Sequence, residues 1–249
     1  MLRAAPFSSL AQASPAELIL VARPEAKVAP VIEEINTIDP SIRATFVAVD
    51  VAKQDSVRAA AASILEDPKI PKIDVVINCA GIMYLPEFTT DAKGNELQFS
   101  SSHIGHFLLA NLLMPKILAA GENARIINIA SHRHQISDVW QSKTANILFP
   151  VELARQLKNR GIVSLSVHPG SIANTGLFNY VPMTEFDSGD KISRKNTGLP
   201  FAIDTSFKTV SQGCSSAVAA ALSPELAANS GSYIQNCQVG TPREYALYG

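Results

Sequence analysis

The chain has 249 residues, enough for one large domain with a sizeable core. Hydrophobic residues make up 47% and charged residues 17%, which excludes a disordered chain. A net charge of −1 argues against a nucleic-acid or anionic-membrane partner, and no apolar run reaches the length of a membrane span.

The first residues lack a continuous apolar core of signal-peptide length and read as the tail of a helix. Residues 17–22 (ELILVA) read as a strand, and 25–36 as a helix ending before Asp39-Pro40. Residues 44–49 (ATFVAV) form a strand and 56–65 an alanine-rich helix. Residues 73–78 (IDVVIN) are apolar on both faces, as a strand buried between helix layers must be. A long helix covers 102–119, residues 124–130 (ARIINIA) form a strand, and a helix follows over 140–159. Residues 162–167 (IVSLSV) are a strand, 209–222 a helix, and 231–235 a last short strand.

This alternation implies an α/β fold, a parallel sheet wound with helices on both faces. Residues 1–249 read as a single domain. Residues 181–205 break the rhythm: they are polar, irregular and carry Gly189, Gly198 and Pro200. They read as a substrate loop beyond the carboxyl ends of the strands, or as a variable surface loop. Cys79, Cys214 and Cys237 have neither disulfide count nor metal-site spacing. They read as buried thiols in a reducing compartment, the cytoplasm, with no metal site.

Four motifs fall in order at strand ends or helix starts. They are Asn78-Cys79-Ala80-Gly81, Ser131 at the end of IINIAS, Gln141–Asn146 (QSKTAN), and His168–Ile172 (HPGSI). Each is weak alone, but the ordered set is strong. Together with INCAGIM, HIGHFLLANLLMPKI, QSKTANILF and SPELAANSGSYIQNCQV, they make the chain resemble the short-chain dehydrogenase/reductase family. The resemblance is to its retinol-dehydrogenase-like and WW-domain-oxidoreductase-like branch, and it runs from about residue 14 to 239. It implies a doubly wound Rossmann-type sheet in three α/β/α layers, and hydride transfer between NADP(H) and a carbonyl or secondary alcohol. It also implies a small-molecule substrate and a homodimer through the long helix and the Lys143 helix.

In such enzymes a tyrosine exchanges the proton with the substrate oxygen and a serine steadies the developing charge. A lysine four residues after the tyrosine shares its helix face and favours the tyrosinate. An asparagine completes a proton relay. By resemblance the serine is Ser131 and the lysine Lys143. The tyrosine position is Val139, which carries no proton, and the relay asparagine position is Ser102. His132 and His134 read as polar residues on a strand-exit loop, and Tyr180 lies outside the window.

The cofactor positions implied are Arg23, Asp50, Val51, Asn78, Ala80, Gly81, Lys143, Gly170, Ile172 and Asn174, the last replacing a threonine. A basic residue after the first strand suits the NADP 2′-phosphate, where an acidic one would favour NAD. The first glycine is Gly81, so no glycine-rich phosphate turn precedes it. The central strand that normally leads into that turn is expected to be missing, leaving its neighbours without a partner. Three readings stand: an NADP(H)-dependent oxidoreductase, a catalytically inactive binding or interaction protein of that fold, and an incomplete gene model. The last has blocks absent before Met1 and between Asp138 and Trp140.

Overall fold

The computed structural model describes residues 5–83, 85, 87–122, 124–131, 141–172, 191, 194 and 207–240. Helix α1 (Ala5–Ala11) leads to β1 (Glu17–Ala22), α2 (Ala29–Ile38), β2 (Arg43–Ala48), α3 (Gln54–Glu66) and β3 (Val75–Asn78). A short helix α4 (Leu97–Phe99) runs through a π turn (Ser100–Ile104) into α5 (Gly105–Leu112) and α6 (Met114–Ala120). Then come β4 (Arg125–Ile129), α7 (Gln141–Leu157), β5 (Val163–His168), α8 (Val210–Leu222), α9 (Pro224–Ala227), β6 (Tyr233–Gln235) and β7 (Gln238–Gly240).

Local chemistry explains the boundaries. The helix expected over 25–36 begins instead as a 3-10 turn (Glu25–Lys27), and α2 restarts with a proline in its first turn. Proline is tolerated there because the first helical N–H groups have no intrahelical partner. Helix α8 opens with a reciprocal cap: Thr209 Oγ1 accepts from the Gln212 N–H while the Gln212 side chain accepts from the Thr209 N–H. The single long helix expected over 102–119 is broken. Leu97–Leu112 and Met114–Ala120 meet at 60°. Pro115 in the first turn of α6 lacks the N–H that would carry the ladder across Leu113.

Strands β3, β4, β5 and β6 are parallel, and β7 returns antiparallel to β6. Strands β1 and β2 pair in parallel along all six residues, but as a separate sheet. No ladder joins β1 to β3 among the described residues. The sheet is therefore interrupted where the sequence leads us to expect a missing strand. Strand β7, only three residues long, is not legible in the sequence.

Side-chain alternation places consecutive residues on opposite faces. Ile127 and Leu165 join a core with α1, α2 and α8; Ile126 joins a second core with α3, α5, α6 and α7. Strand β1 enters both, through Leu18 and Leu20 on one side and Ile19 and Val21 on the other. The two sheets are thus held by shared helix layers rather than by backbone hydrogen bonds. Ile126, Ile127, Leu165, Val167 and Ile234 are fully buried. Burial of each such side chain is worth about 1.5–3 kcal/mol. This is a Rossmann-type α/β fold. No helix among the described residues is long and apolar enough to cross a membrane.

Candidate active site

The carboxyl ends of the strands bring most of the expected positions to one edge, where ligands bind in open α/β sheets. Arg23 follows β1 and is exposed; Asp50 and Val51 follow β2; Asn78, Ala80 and Gly81 end or follow β3. Ser131 lies just past β4, and Gly170 and Ile172 follow β5. Val139, His132, His134, Asn174 and Tyr180 lie outside the described residues, as does 181–205 apart from Lys191 and Arg194.

Each loop is fixed by its own contacts. Asp50 donates its N–H to Ser56 Oγ at 2.9 Å, and its Oδ1 accepts from the Ala52 N–H at 3.2 Å. Helix α5 lies directly on this turn because residue 105 is glycine. A Cβ there would stand 2.0 Å from the Val51 carbonyl oxygen. Gly213 in α8 serves the β5 loop in the same way, since a Cβ would meet Ile172 Cδ1 at 2.0 Å. Just beneath the edge, Asn78 Nδ2 donates to Asn128 Oδ1 at 2.9 Å across the β3–β4 pair.

The π turn carries the chain past Gly81. Ser102 Oγ donates to the Ile82 carbonyl at 3.4 Å, and a Cβ on Gly81 would lie 3.0 Å from that hydroxyl. Opposite stands α7. Lys143 Nζ donates to the Ile129 carbonyl at 3.1 Å. Asn146, one turn further on, donates its two amide hydrogens to the carbonyls of Ser102 at 3.0 Å and Ile129 at 3.1 Å. Its Oδ1 then faces His103 Nδ1 at 2.8 Å, so that nitrogen carries the ring hydrogen. His103 is in turn packed among Phe99, Phe107 and Phe149.

The network has a clear electrostatic character. Burial pushes the Lys143 ammonium down to about 8, against which the nearby Cys79 thiol acts weakly. Burial also lowers His103, although its bond to Asn146 opposes the shift, and drives His106 to about 3. The site therefore holds neutral imidazoles beside a partly dehydrated amine.

Asn146 and His103 were not singled out by the sequence analysis. Both lie inside the quoted stretches QSKTANILF and HIGHF, and Lys143 and Asn146 are three residues apart on one helix. That spacing is the signal that could have found Asn146. The cysteines also differ from expectation: Cys214 is buried, Cys79 is intermediate and Cys237 is exposed. Cys237 sits in the tight β6–β7 turn with a φ of 62°, its N–H donating to Ser216 Oγ of α8 at 3.1 Å.

The described strand ends thus meet at one edge of a Rossmann-type sheet, with Lys143 reaching back from the following helix to the end of β4. The short chain dehydrogenase family model matches residues 7–185. Human retinol dehydrogenase 14 is 32% identical over 208 residues, covering 76% of this chain and 58% of that protein. Human retinol dehydrogenase 13 is 38% identical over 147 residues, covering 52% of this chain and 43% of that protein. The chloroplastic short-chain dehydrogenase TIC 32 B of Brassica napus is 31% identical, with 93% and 76% covered. Among solved structures, the NADPH-bound carbonyl reductase from chicken fatty liver superimposes with a TM-score of 0.64 at 21% identity, covering 94% of each chain. Levodione reductase gives a TM-score of 0.70 at 18% identity, covering 94% of this chain and 90% of that one. The chain belongs to the short-chain dehydrogenase/reductase family, in its retinol-dehydrogenase-like branch. It spans about half the length of the human retinol dehydrogenases it matches.

Proposed function

We propose that this site is that of an NADP(H)-dependent oxidoreductase acting on a carbonyl or secondary alcohol, and that these 249 residues carry it in impaired form. The observation that carries the reading is Lys143, whose Nζ donates to the Ile129 carbonyl at the end of β4, two residues before Ser131. Ser131 is the candidate for the hydroxyl that steadies charge on the substrate oxygen, and Lys143 for the cation beneath it. Arg23, exposed after β1, supports NADP over NAD. Asp50, Val51, Asn78, Ala80 and Gly81 fit an adenosine side, and Gly170 and Ile172 a nicotinamide side, with Asn174 assigned by resemblance. Within these 249 residues the first glycine is Gly81, so a glycine-rich turn that would cradle the diphosphate is not among them. The dinucleotide, when bound, supplies the hydride; the residues named here orient and hold charge. The impairment rests on Val139, which has no proton to give at the tyrosine position. The near-neutral charge and scarce cysteines support the cytoplasm as compartment and a small molecule as partner, and family resemblance supports a homodimer.

The second reading, a binding protein of the same fold without turnover, is favoured by Val139 and by the interrupted sheet. Thermal melting with millimolar NADPH and NADH tests how much of the cofactor site remains. We predict no appreciable shift with either. A rise of several degrees contradicts the loss of the diphosphate cradle, and a larger rise with NADPH than with NADH supports the role of Arg23.

A further inference from the structure

We propose that the cavity between the start of α8 and the β6–β7 turn binds a small aromatic carboxylate. This goes beyond the reading above, since it uses neither Lys143 nor a dinucleotide.

The cavity has a volume of about 390 Å³, enough for a compact organic molecule. The Lys208 ammonium is the charged group on its wall, and no aspartate or glutamate is among its described lining residues. That ammonium is held in place from two sides. The Lys208 N–H donates to the Ser171 carbonyl at 2.7 Å, and Nζ donates to Asn236 Oδ1 at 2.6 Å. Behind it lies Gly170, where a Cβ would stand 2.6 Å from Lys208 Cδ and 2.9 Å from Nζ. Glycine at that position gives the lysine stem its path.

The hydrogen-bonding capacity left over in the cavity is mostly that of donors. An ammonium can only donate, so Asn236 must turn its oxygen to Lys208, which leaves its NH2 group. Gln212 is fixed in the same sense. Its Oε1 accepts from the Thr209 N–H at 2.9 Å inside the α8 cap, which again leaves the NH2 group. Ser216, only 1% exposed, accepts from the Cys237 N–H at 3.1 Å. Its hydroxyl hydrogen is left to the Cys237 sulfur at 3.9 Å, a weak acceptor. Ser215 is the exception, because its hydroxyl donates to the Ser211 carbonyl at 3.2 Å and keeps only lone pairs.

A cation flanked by donors whose own acceptor atoms are taken calls for a ligand that accepts and carries negative charge. A carboxylate does both: it has two oxygens, about four lone-pair sites and no donor. The wall beside these groups is apolar. Phe207 lines the cavity with its side chain 59% exposed, and the Cys237 thiol lies on the same wall. A flat aromatic body can cover the Phe207 ring in an offset stack while its carboxylate meets Lys208. A tetrahedral inorganic anion would leave that ring uncovered.

The test uses Cys237 as a built-in reporter, because its thiol is exposed and lines the cavity. The 249-residue chain is alkylated with iodoacetamide, and the peptides carrying Cys237 and Cys79 are followed by mass spectrometry. With about 10 mM sodium benzoate, alkylation of Cys237 should slow by about fivefold or more, while the rate at Cys79 is unchanged. Benzamide has the same shape without the charge. It and sodium phosphate, at equal ionic strength, should leave the Cys237 rate within about twofold. Lys208→Met should abolish the protection by benzoate. A Cys237 rate that benzoate does not change overturns the proposal, as does equal protection by benzamide or by phosphate. Protection that persists in a folded Lys208→Met chain overturns it too. The benzoate, benzamide and phosphate comparisons are made on the unaltered chain, so they decide the matter even where that variant fails to fold.

Discussion

Asn146 spends both amide hydrogens on backbone carbonyls and its oxygen on His103. It therefore ties the π turn, the end of β4 and α7 together at one point. We predict that Asn146→Ala lowers stability by about 1–3 kcal/mol, because the Ser102 and Ile129 carbonyls each lose a donor and the part-buried His103 Nδ1 loses its acceptor; urea unfolding measures this. His106 makes a second prediction. Its folded pKa, about 3, lies below the unfolded value near 6.5, so the unfolded chain binds more protons in that window. Stability is complete above the unfolded value and falls as pH drops below it. The loss should reach about 2 kcal/mol by pH 5, and His106→Phe should flatten that slope. Ser131 just past β4 and Lys143 in the first turn of α7 could be placed from the sequence because the strand and helix signals around them are local. It could not show Asn146 gripping Ser102, since that contact spans 44 residues and depends on the π turn.

At the scale of elements, strand boundaries were readable to within about two residues where apolar runs are long. The break between α5 and α6 is marked in the sequence by Pro115 alone, within an apolar run that otherwise reads as one helix. The packing of α5 on the β2–α3 turn was invisible in the sequence, because nothing local to Gly105 names Val51 as its neighbour. Gly105→Ala should cost about 2 kcal/mol or more and lower Tm by at least about 5 °C, as the added Cβ runs into a backbone oxygen. The interrupted sheet makes a further prediction. Among the described residues, β1 and β3 each pair on one edge, whereas β4 and β5 pair on both. Amide hydrogens in residues 17–22 and 75–78 should exchange faster than those in 125–129 and 163–168, as hydrogen-exchange mass spectrometry reads directly. Uniform protection across all four segments would mean that β1 and β3 are paired after all.

For the molecule as a whole, the order of motifs along the chain was enough to specify a Rossmann-type fold, because each strand end is followed by its own short signature. What the sequence left open is how two separate sheets hold one shape. The two cores answer that: α1, α2 and α8 lie on one side, and α3, α5, α6 and α7 on the other, and both cores take residues from each sheet. Such packing maintains the strand-end edge, with Lys143 and the loops around it, despite the missing ladder. In the function proposed above, the chemistry turns on Val139, which lies outside the described residues and whose side chain has no proton to exchange. The most direct measurement is NADPH oxidation by the purified 249-residue chain with a panel of aldehydes and ketones. The account predicts rates at background. Clear turnover that is lost on Lys143→Ala would contradict it.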